Sequence, residues 1–185
     1  GETLATTITN FQARIGDYAE ALTGRPLIVV CACAGGSDIY AGDSAATVSA
    51  RIGTFVGMCT AINAQTVIGD VMPGTAFTGN GTDTARIALN ALTVAARQGT
   101  YLWPIASLFF ETGGAYFQGD GQHLNLYGNT LAAFDIRDIL EKNLYVTATN
   151  QAHFIPQITL GNLGPAGAFG GIQMSGGAYF GVNGN

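Results

Sequence analysis

Leu4, Ile8, Phe11, Ile15, Tyr18 and Leu22 follow one another at spacings of four and three, which places them on one face of a helix. Gly24 ends that pattern and Pro26 forbids its continuation. The next run, "LIVVCAC" (27–33), is apolar at every position, as in a strand covered on both faces of a parallel sheet. Val48, Ile52, Phe55, Val56, Cys59 and Ile62 predict a second helix, with Asp43 or Ser44 as its N-cap. "TVIGDVMP" (66–73) predicts a second strand, and "GTAFTGNGTD" reads as the loop behind it. A third helix is expected over 84–98, capped by Asp83 and stopped by Gly99. "TYLWPIASLFF" (100–110) predicts a further strand and its exit, with Trp103 and Pro104 as core and strand-exit residues. A polar turn and a fourth helix over 127–142 follow. This alternation of helices and strands predicts an α/β domain with a parallel sheet over residues 1–143.

After Asn143 the pattern changes. Residues 144–185 have few charges, many glycines and short alternating stretches such as "HFIPQITL". They are expected to form a Gly-rich β or extended appendage. Its apolar residues, among them Tyr145, Phe154, Phe169, Tyr179 and Phe180, need a surface to pack on. That surface is expected to be the α/β domain, an upstream segment of the chain, or a homo-oligomer partner.

Charge narrows the function classes. Seven basic residues stand against twelve acidic ones, a net charge of −5, and no basic cluster exists to bind a nucleic acid backbone. No apolar run reaches the roughly 18–20 residues of a membrane span. The opening "GETLATTITN" lacks the pattern of a signal peptide. Scarcity of lysine (Lys142 alone) beside abundant Gly, Ala, Thr and Asn weakly favours an extracellular or virion setting. Cys31, Cys33 and Cys59 lie in apolar runs and read as small buried hydrophobes, the first two too closely spaced on a strand for a relaxed disulfide. No His, Cys and carboxylate cluster has metal-ligand spacing, so neither metal nor cofactor is expected. His153, on an alternating stretch, reads as a surface or packing residue.

Two polar features fall where an open α/β sheet keeps its active site, beyond the carboxyl ends of strands. One is "GGSD" (35–38), after the first strand; the other is "GDGQH" (119–123), after the last. With the order of the helices, they resemble the blocks of the SGNH (GDSL-type) hydrolases, esterases and deacetylases with a flavodoxin-like, three-layer fold. The resemblance covers about residues 1–142. It implies that Asp120 and His123, a D-x-x-H block, are the acid and base of a catalytic triad. "GGSDI" stands where the family has G-x-N-D, so Ser37 takes the place of an oxyanion-hole asparagine. "GETL" (1–4) resembles the family's glycine block and maps the second oxyanion donor to the Gly1 amide.

The family's nucleophile is a serine in a G-D-S block at the end of a first strand, before the glycine block. The resemblance therefore implies a nucleophile upstream of residue 1, on an interior strand that this sequence lacks. Ser44, in "AGDSA", is more simply an N-cap, and Ser175 would need a circular permutation. The expected function is ester hydrolysis on an acyl-ester or acetylated glycan, in the manner of a carbohydrate O-acetyl esterase. The alternative is a catalytically inactive structural or glycan-binding module of an extracellular or virion assembly. Tyr40, Phe77 and Tyr116 fall in loops at the active end and are candidates to line an acyl or sugar pocket.

Overall fold

A computed structural model describes residues 2–21, 27–96, 99, 101–109, 115–141, 158–162, 170–172 and 179–181. The chain divides into two units, Gly1–Asn129 and Thr130–Asn185.

In the first unit, helix α1 (Leu4–Thr9) starts at Thr3, whose Oγ1 accepts the Thr6 N–H at 3.3 Å. A π-helical turn (Gln12–Gly16) separates it from α2 (Asp17–Ala21). The sequence predicts one continuous helix here, and the π turn explains the departure. Its extra residue rotates the apolar face, so Leu4 and Phe11 are buried while Tyr18 is 64% exposed. Leu22, Gly24 and Pro26 lie outside the described residues.

Strand β1 (Leu27–Cys31) leads through a tight turn into a short helix α3 (Gly36–Tyr40), then into the long helix α4 (Ala45–Ala61). Strand β2 (Ala64–Gly69), the short helix α5 (Thr75–Gly79), helix α6 (Asp83–Ala96) and strand β3 (Tyr101–Trp103) follow. The three strands are parallel, in the order β1-β2-β3, with Leu27 opposite Ala64 and Val67 opposite Tyr101. This is the expected parallel α/β architecture.

Helices α1 and α6 both pack on α4, and Phe11 meets Phe55 of α4 edge-on at 6.0 Å. All three helices therefore cover one face of the sheet, the result of successive right-handed crossovers. Between them lies the core of Ile39, Val48, Ile52, Cys59, Ile68, Val71 and Leu89, all fully buried. Central β2 is buried at five of its six positions. In contrast, β1 has no partner on its outer edge among the described residues, and Val30 is 41% exposed.

Some boundaries differ from those the sequence predicts. The first strand stops at Cys31 rather than Cys33, because Cys33 takes a left-handed conformation (φ 55°) that ends extended pairing. The last strand covers only 101–103 before a 3-10 turn (Ile105–Leu108), where the Pro104 ring removes the donor that pairing would need. Helix α7 (Leu126–Ile139) crosses the boundary between the units.

In the second unit, β4 (Ile158–Asn162) pairs antiparallel with β5 (Gly170–Ile172) and parallel with β6 (Tyr179–Gly181). His153 lies outside the described residues.

Candidate active site

The three parallel strands all deliver their connections to one end of the sheet. From β1 comes the turn that carries Gly35, Gly36 and Ser37. Gly35 takes φ 82°, and Ser37 is half-buried at the second position of α3. From β2 comes α5. From β3 comes the 3-10 turn, then a tight hairpin in which Phe117 pairs with Leu124.

That hairpin builds the D-x-x-H turn. Gln118 N–H donates to the His123 carbonyl at 2.7 Å, and Asn125 N–H to the Tyr116 carbonyl at 2.8 Å. Between these rungs, Asp120 Oδ1 accepts the N–H groups of Gln122 (2.9 Å) and His123 (3.0 Å). Its other oxygen, Oδ2, lies 2.6 Å from His123 Nδ1. The three-residue offset thus closes an Asx-type turn whose second oxygen is aimed at the imidazole. The Gln122 amide, then the His123 imidazole and the His123 amide, hold the Asp120 carboxyl down at about 2. Asp120 is therefore an anion at neutral pH, and Nδ1 carries the proton it accepts. In the neutral ring that leaves Nε2 as a free base. The histidine side chain is 55% exposed, open to an incoming group.

The turn is fixed from below. Gly121 (φ 66°) offers its carbonyl to Ala76 N–H at 3.3 Å, at the start of α5. A Cβ on Gly121 would strike Thr75 Oγ1, and one on Gly74 would strike the Gly121 carbonyl oxygen. Both positions need glycine for this close approach. Helix α5 in turn grips α3: Asn80 Nδ2 donates to the Tyr40 carbonyl at 3.1 Å, and Phe77 meets Tyr40 edge-on at 6.1 Å. A continuous set of contacts therefore joins the helix of Ser37 to the turn of His123. Phe77 is 3% exposed and belongs to this link.

A residue that the motif reading passes over is Asp38. Its carboxylate is wholly buried and accepts Leu4 N–H at 2.8 Å and Arg51 Nη1 at 2.7 Å. Arg51 also pairs with Asp43. Asp38 thereby pins the start of α1, two residues after Glu2, to the carboxyl end of β1. The sequence signal was available: a lone acid in an apolar stretch, with Arg51 thirteen residues later on the next helix. Asp70 does similar work after β2. Its Oδ1 accepts Ala106 N–H at 2.6 Å, and burial raises its carboxyl despite that bond and Arg86.

Other candidates take structural places. Ser44 Oγ accepts Thr47 N–H at 3.2 Å and caps α4, as its spacing suggested. The three cysteines are free. Burial pushes Cys31 up to about 12 and Cys33 and Cys59 to about 11, so they are not thiolate nucleophiles at neutral pH. Gly1 lies outside the described residues. Among the described residues no group of His, Cys and carboxylates could hold a metal ion.

No protein-family model and no curated protein matches the sequence. Solved structures do resemble it. A member of the lipolytic G-D-S-L family from Veillonella parvula is 19% identical, with a TM-score of 0.58 over 79% of this chain and 77% of that one. A GDSL-like lipase from Bacteroides thetaiotaomicron is 13% identical, also at 0.58, over 76% and 72%. The structure of TesA is 17% identical, at 0.57, over 76% and 73%. At these identities the likeness is one of fold, and it agrees with the parallel sheet: the chain has the SGNH-hydrolase fold.

Proposed function

We propose that this fold serves ester hydrolysis by a serine nucleophile, with an acetylated polysaccharide as substrate. The observation that carries the reading is the 2.6 Å contact between Asp120 Oδ2 and His123 Nδ1 at the carboxyl end of the sheet. With Nδ1–H held by Asp120, Nε2 takes the serine proton as Oγ attacks the ester carbonyl. The tetrahedral oxyanion is met by the Gly1 amide and Ser37. Its collapse expels the sugar alkoxide, which takes the proton from Nε2, and water repeats the sequence to release acetate. A serine reaches less far than an asparagine, so the oxyanion hole is weakened. Loss of one such donor altogether costs roughly 10²–10³ in rate.

The serine is assigned to residues that precede Gly1 in the polypeptide, and the topology supports a place for it. Helix α1 lies on the same face as α4. A right-handed crossover through α1 into β1 therefore starts from a strand on the outer edge of β1. That edge is apolar, carries no charge and has no partner among the described residues. Asp38 holds Leu4 at the carboxyl end of β1, where such a parallel strand would finish.

One observation favours a catalytically inactive, structural or glycan-binding module instead: Ser37 stands in the sequence where the family has an asparagine. The polypeptide with its upstream residues, assayed on 4-nitrophenyl acetate and acetylated xylan, separates the readings. Hydrolysis that His123→Ala abolishes is the expected result. Hydrolysis that survives His123→Ala overturns the assignment, and an upstream sequence without a G-D-S block selects the inactive module.

A further inference from the structure

A ladder of aromatic rings climbs from the core to the surface at the hairpin that carries His123. Phe109 and Phe117, both almost fully buried, lie 5.8 Å apart between centroids. Tyr116 meets Phe109 edge-on at 5.5 Å, and Tyr127 stacks on Tyr116 at 5.6 Å with the rings 15° from parallel. Tyr127 is 57% exposed. The rungs at 116–125 and 118–123 set the alternation of the hairpin. Phe117 and Leu124 point into the core, so Tyr116 and His123 share the opposite face.

We propose that Tyr127, backed by Tyr116, is a stacking platform for a pyranose ring of a neutral glycan, seated next to the histidine. The site rests on the hydrolase reading for its purpose, since it would hold an acylated sugar beside Nε2. Three features point to this ligand. The outer ring is held by the ones beneath it, so little freedom remains to be lost on binding. A flat, open aromatic face suits the C–H face of a sugar, whereas an acyl chain needs a groove that encloses it. The surroundings disfavour anions: residues 98–136 contain no Lys or Arg, and Asp120 is an anion. Arg14, Arg51, Arg86 and Arg137, the described arginines, are each paired with a carboxylate.

The test is binding without turnover. The polypeptide with its upstream residues is titrated with xylohexaose, chitohexaose and hexagalacturonate, followed by tyrosine fluorescence. Binding of at least one neutral hexasaccharide, weakened about tenfold or more by Tyr127→Ala and kept by Tyr127→Trp, is expected. Independently of any variant, the bound hexasaccharide should slow acetylation of the Tyr127 hydroxyl by N-acetylimidazole. Four outcomes overturn the platform: no neutral hexasaccharide bound, equal binding by Tyr127→Ala, tighter binding of hexagalacturonate, or self-association that Tyr127→Ala abolishes. Glycan binding without ester hydrolysis defeats only the hydrolase reading, and hydrolysis without glycan binding defeats only the platform.

Discussion

Two aspartates stand at the same end of this sheet, and their surroundings give them opposite tasks. Asp38 is wholly buried and spends both oxygens on fixed partners, the Leu4 amide and Arg51. Asp120 is open to solvent, yet it also spends both oxygens, on two amides and an imidazole. The first holds one helix start against the sheet and has nothing left to offer a substrate. The second orients a group whose far nitrogen remains available. Burial with full pairing makes a carboxylate a strut; exposure with a histidine partner makes it part of a reactive site.

The comparison breaks most sharply under Asp120→Asn. In the polypeptide with its upstream residues, ester hydrolysis should fall by about three to four orders of magnitude, because the amide no longer selects the Nδ1–H tautomer. The melting temperature should fall only slightly, since an amide oxygen can still accept the Gln122 and His123 N–H groups. A large thermal shift with little change in rate would assign Asp120 to the scaffold instead.

Asp38→Ala should do the reverse to stability. It leaves the Leu4 amide and a partly buried guanidinium without their acceptor, at a cost of about 3 kcal/mol in urea unfolding. A change below about 1 kcal/mol would show that water replaces the carboxylate without penalty.

Gly121→Ala sharpens the contrast from the side of the turn. A left-handed residue gains a Cβ against Thr75 Oγ1, which should cost about 1–3 kcal/mol and shift the His123 ring resonances. Unchanged resonances would mean that α5 does not set the turn.

The smallest effect is on pH. The Asp120 carboxyl falls from an ordinary 3.8 to about 2. A depressed carboxyl stabilises the fold fully above about 4, and that contribution is lost as the pH drops through about 2. Carboxyl NMR should show Asp120 titrating near 2, together with the Gln122 and His123 amides. A midpoint near 4 would show that the turn opens in solution.

Much of this was legible in the residues. Apolar spacings along α4 and α6 need only a helix and a core, so their limits follow closely from sequence. Ser44 as a cap and Asp120 as the partner of His123 are local geometries, decided within three residues. The short helices α3 and α5 were not legible: five residues carry too little periodicity to register. The apolar β1 reads as doubly covered, yet its outer edge is unpaired among the described residues, because pattern records which faces want cover and not which neighbour supplies it.

Sequence alone therefore determined the α/β alternation, the D-x-x-H turn and the net charge of −5, since each depends on neighbours in the chain or on composition. Only the tertiary structure decided that Asp38 is a buried tie, that Gly74 and Gly121 bring the start of α5 against the D-x-x-H turn, and that Tyr116 and Tyr127 stack on one another. Those contacts join residues up to 47 positions apart (Gly74 to Gly121) or on different elements. Their energy exists only once the backbone has brought them within a few ångströms, and no local propensity encodes that approach.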